Sequence, residues 1–169
     1  MRVFRSAVVG SISALGLVLG ATGVASAHEA HPLVQFTSMS TVSAGEVNTV
    51  NDRGIVAGGK PWAITSGTGE LDSNGMLHVS VTGLVIPVAP FNGTNPLASF
   101  GATVSCITTH HDIVNVFAGT FPTNSAGDAT IDTTVSLPHP CTQALVFVTS
   151  PSGAWFARSI PLDDEEDGD

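Results

Sequence analysis

Three small groups of residues carry side chains able to do chemistry. The first lies in "ASAHEAHP", residues 25–32, where the small residues of "ASA" suit a signal peptidase and cleavage after Ala27 would make His28 the first residue of an exported chain. A free α-amine, the His28 ring and a second imidazole would then offer copper three nitrogen ligands. That second imidazole normally comes from elsewhere in a fold, so His31 is not assumed to supply it. The second group is the cysteine pair, Cys106 and Cys141. In an oxidising compartment two cysteines are expected to form one intramolecular disulfide. The third group flanks that pair: "CITTHHD" carries His110, His111 and Asp112 away from Cys106, and "LPHPC" brings His139 to Cys141. If these segments are antiparallel neighbours, period-two parity places His110 and His139 on the face of the disulfide, with backbones roughly 7–8 Å apart. Such a group would suit zinc or copper. The plainer reading is a polar turn with solvated histidines.

Other chemistry has no support in the sequence. There is no Gly-x-Ser-x-Gly elbow, no His-Glu-x-x-His pair and no phosphate loop. The expectation is a non-catalytic protein, with no cofactor unless copper or zinc occupies the histidines.

The ends of the chain bear on where these groups would operate. Arg2 and Arg5 precede an uncharged apolar run, residues 7–24, which reads with "ASA" as an export signal over residues 1–27. A retained anchor is the rival, since about 18 apolar residues just span a bilayer; Gly10, Gly16, Gly20 and Gly23 and the small-residue exit favour cleavage. The exported chain keeps Arg53, Lys60 and Arg158 against fourteen acids, a formal charge of −11. Nucleic acid is therefore excluded as a partner, because phosphate binding draws on clustered cations. Six of the acids fall in the last seven residues, "DDEEDGD", which reads as a disordered acidic tail over 163–169.

Residues 28–162 then form a single domain, and their apolar residues repeat every second position. In "MLHVSVTGLVI", residues 76–86, Leu77, Val79 and Val81 share one face while His78, Ser80 and Thr82 share the other. "DSNG" separates this run from "WAITSGTGEL", and Asn-Gly between two such runs predicts a hairpin of 62–71 with 76–86. Further strands are expected at 34–42, 99–109, 112–119, 129–137, 144–150 and 154–160, and no run shows a sustained helical period. About eight antiparallel strands at this spacing predict an all-β, immunoglobulin-like β-sandwich, with a closed β-barrel as the alternative.

Two longer connections interrupt the strands, and long loops are where binding residues concentrate. "NDRGIVAGGKP", 51–61, holds Arg53 and Lys60, and "PVAPFNGTNPLA", 87–98, holds Phe91 and Asn92. Asn92 also opens an Asn-Gly-Thr glycosylation sequon, though Asn-Gly is equally turn chemistry. Trp62 and Trp155 read as core residues rather than as a sugar-stacking platform.

Two resemblances add to this reading. An amino-terminal histidine on a β-sandwich is similar to the histidine brace of copper monooxygenases acting on polysaccharides and of small periplasmic copper carriers. The likeness covers only the terminus and the fold class, and the chain departs from those families in having no tyrosine, in being short for the oxygenases and in lacking a carrier motif after "HEAHP". Along most of the exported length, "PWAITSGTGELDSNGMLHVSVTGLVI", "ASFGATVSCIT" and "LVFVTSPSGAWFA" resemble small exported β-domain proteins of high-GC Gram-positive bacteria, a group without assigned function. That resemblance implies secretion and a β fold and carries no catalytic motif. The expected function is a secreted module that binds a cell-wall, glycan or protein surface through 51–61 and 87–98. The alternative is a copper- or zinc-binding secreted protein.

Overall fold

The computed structural model describes residues 30–162. The expected export segment, His28 and the acidic run 163–169 lie outside the described residues. Among the described residues, nine strands form two antiparallel sheets: β1 (Pro32–Phe36), β2 (Ser38–Thr41), β3 (Ser66–Asp72), β4 (Met76–Thr82), β5 (Ser99–Ile107), β6 (Ile113–Pro122), β7 (Ala129–Thr134), β8 (Thr142–Thr149) and β9 (Trp155–Ile160). The small sheet has the order β1-β3-β4-β7 and the large one β2-β9-β8-β5-β6. Neither sheet closes on itself, so the molecule is a β-sandwich rather than a barrel. Two features depart from the antibody pattern, in which the second strand neighbours one much later in the chain and the disulfide joins the sheets. Here β3 neighbours the next strand, β4, and the Cys106–Cys141 bond ties the end of β5 to the lead-in of β8 within the large sheet.

The β3–β4 hairpin forms where Asn-Gly predicts it. Asn74 accepts a hydrogen bond from the Met76 amide at 3.0 Å, and Gly75 takes φ +86°, a conformation glycine adopts without steric cost. A methyl group there would lie 2.0 Å from the Val135 carbonyl oxygen, so space and torsion both require glycine.

The expected strand 34–42 is instead two strands in different sheets, divided at Thr37. Unbroken alternation from Val34 and Phe36 would turn Met39 outward. The break at Thr37 lets all three side chains enter the core, with β1 edging one sheet and β2 the other. The core is continuous between the sheets. Leu71, Leu77, Val79 and Ile131 of the small sheet face Phe100, Val104, Val146 and Val148 of the large one.

A second buried layer lies on the far face of the large sheet. Thr103, Ser105, Phe147, Thr149 and Trp155 are all buried there, because residues 50–58 fold back across them as a strap. Backbone bonds hold the strap down: Gly58 donates to the Trp155 carbonyl at 2.9 Å, and Trp155 donates to the Val56 carbonyl at 2.9 Å. Its root is a tight turn in which the Glu46 carboxylate accepts from the Ser43 amide at 2.8 Å and the Ser43 hydroxyl at 2.7 Å. The backbone donor, then the hydroxyl, holds the Glu46 pKa below the usual carboxylate value. The contribution of Glu46 to stability is therefore full above the ordinary carboxylate range and lost as pH falls through the depressed folded value. Urea midpoints measured across that acidic range should fall less steeply for Glu46→Gln than for the parent chain. Equal slopes would remove Glu46 from the acid response.

Candidate functional site

The two long connections meet at one end of the sandwich. Gly59 and Lys60 from the first, and Phe91, Pro96 and Leu97 from the second, line an apolar hollow of about 310 Å³. Its floor is Trp62 and Phe156, whose rings stack at 4.1 Å with Phe100 edge-on to both at 6.1 Å. Gly58 lets the chain pass close over this stack, since an added methyl would sit 2.9 Å from the Phe156 ring. Lys60 is exposed and has no ion-pair partner among the described residues. The hollow thus presents an aromatic floor, a half-buried phenyl wall and one cation at its rim. Such a surface can receive an apolar or aromatic group with an anionic or polar one beside it.

The other residues singled out in these loops lie apart from the hollow. Asn92, at φ +48°, donates to the Pro90 carbonyl at 3.2 Å and so completes its own turn. Arg53 points the opposite way, at the tip of the strap, where it is only 7% exposed. Its Nη2 donates to the Gln143 carbonyl at 2.8 Å and its Nη1 to the Ser105 hydroxyl at 3.4 Å. Burial pushes the Arg53 pKa down against the opposing influence of Asp52. Trp62 and Trp155 are both core residues, 5% and 2% exposed.

The strand parity that would align the histidines does not extend to them. β5 ends at Ile107 and β8 begins at Thr142, so His110, His111 and His139 all lie beyond the paired strands, where alternation no longer governs direction. His111 takes φ +61° in the turn, and His139 precedes the cis Pro140 bond. Among the described residues no set of three or more His, Cys, Asp or Glu side chains is placed to hold a metal ion. His139 instead lines a hollow of about 370 Å³ together with His31, a residue whose backbone is paired with Ser73. That proximity depends on how β1 enters the small sheet, and nothing in the spacing of the two residues signals it.

A further depression of about 470 Å³ lies between the strap and the 150–154 turn, with Ile55, Val56 and Phe117 on its walls. Phe117 is 49% exposed on the edge strand β6, where alternation with the buried-side Val116 turns it outward. No protein-family model, curated protein or solved structure matches the chain.

Proposed function

We propose that the protein is a secreted, non-catalytic binding module that engages a cell-wall, glycan or protein surface through the loop end of the sandwich. The observation that supports this reading is the convergence of Lys60 and Phe91, from separate connections, on one apolar hollow with an aromatic floor. Apolar concave sites with a few placed polar groups are the usual form of a binding site. The intramolecular disulfide is compatible with an oxidising, extracellular setting.

The test is a pair of substitutions at the rim. Lys60→Ala and Phe91→Ala should leave the melting temperature within a few degrees of the parent, because Lys60 is exposed and Phe91 is half-buried at the edge of the core. Each should weaken binding to cell-wall or glycan arrays by about tenfold, the scale of an interface anchor. Array signals unchanged in both variants would overturn the assignment of this hollow.

A further inference from the structure

A second concave surface lies away from the loop end, where the two sheets meet beside β1. It is a groove of about 490 Å³ with Leu33, Leu145, Pro161 and Leu162 among its walls and with Arg53 and Gln143 lining it together. Arg53 is the unusual component. A guanidinium carries five N–H donors in a planar fork matched to a carboxylate. Only two bonds, to the Gln143 carbonyl and the Ser105 hydroxyl, engage it among the described residues. Both acceptors are neutral. Asp52, the neighbouring acid, is committed to Arg158 at 3.1 Å. A buried cation normally has a paired anion, since taking an unpaired charge out of water is costly. Here the protein supplies none within ion-pair distance among the described residues, and Arg53 lines the groove.

We propose that this groove binds the carboxylate of a small amphiphilic anion, with Arg53 holding the anionic head and Leu33, Leu145 and Leu162 contacting its aliphatic chain. The backbone is already shaped for this. Gln143 occupies φ +46° at an irregularity in the β5–β8 pairing, which turns its carbonyl toward Arg53 and fixes the guanidinium in place. A pre-positioned fork loses little freedom when a ligand arrives. The site is independent of the Lys60–Phe91 hollow, so either assignment can fail without the other.

The experiment is calorimetric titration of the full exported chain with octanoate at low ionic strength, with 1-octanol as the neutral comparison. Octanoate should saturate one site and 1-octanol should bind more weakly by about tenfold, the difference made by a charge-assisted bidentate contact. Arg53→Lys, which keeps the charge and removes the fork, should weaken octanoate by a similar factor. Because Arg53 also anchors the strap, Leu162→Glu serves as a second variant: Leu162 is 49% exposed, so the fold should melt as the parent does while octanoate binding is lost. No saturable octanoate binding, equal binding of 1-octanol, or unchanged affinity in Leu162→Glu would each overturn the proposal. Octanoate binding that appears only after removal of residues 163–169 would also overturn it, by assigning the groove to the chain's own acidic terminus.

Discussion

Replacing Cys106 and Cys141 together by alanine should lower the free energy of unfolding by about 3–4 kcal/mol, the loss expected when a closed loop of this size is opened. The bond spans 35 residues, and its Cα atoms stand 4.8 Å apart. Between the two cysteines lie β6, an edge strand of the large sheet, and β7, an edge strand of the small one. Closing this loop therefore confines both sheets of the unfolded chain at once. Both cysteines are also buried, at 0% and 9% exposure, so the substitution leaves apolar contacts unfilled as well. Urea unfolding of the double variant, read beside the parent chain with and without reductant, checks this. A loss below about 1 kcal/mol would mean that the bond constrains the unfolded chain far less than loop closure requires.

Trp62→Ala should cost about 3–5 kcal/mol, as large aromatic deletions in closed cores do. The indole lies flat on Phe156 at an interplanar angle of 26° and meets Phe100 edge-on at 76°. Its backbone amide donates to the Val42 carbonyl at 2.9 Å, tying the end of the first long connection to the residue that follows β2. Deleting the side chain empties the floor of the loop-end hollow and removes the support beneath Gly58 and Lys60. Thermal and urea unfolding should show the loss, and Trp62→Phe should recover part of it by restoring a stacked ring. A cost under about 1 kcal/mol would place the indole outside the closed core.

How far these features were legible depends on the range of the interaction that makes them. Alternation of Leu77, Val79 and Val81, and the Asn74–Gly75 turn between them and β3, are local, so the hairpin and the all-β class follow from a few neighbouring residues. The cysteine pair was legible for a different reason: with only two thiols, chemistry leaves one intramolecular pairing. The directions of His110, His111 and His139 were not, because Thr108–His111 and Pro138–Pro140 lie beyond the paired strands. Parity is a property of extended backbone and carries no direction through a turn or a proline.

The two long connections divide along the same line. Their composition marked them as irregular, and the pairing of Lys60 with Phe91 then arose because both connections return at one end of the sandwich. Arg53 lies only seven residues before Lys60, yet its segment crosses the outer face of the large sheet and buries the guanidinium against Ser105 and Gln143. Hydropathy along 51–61 gives no warning of this. The apolar surface that calls the strap down belongs to Phe147 and Trp155, about ninety residues later in the chain. Strand identity and the disulfide pairing were thus written in short-range pattern and in covalent chemistry. Which loops meet and which cation is buried were settled by long-range burial, because that burial joins residues whose separation in sequence carries no signal.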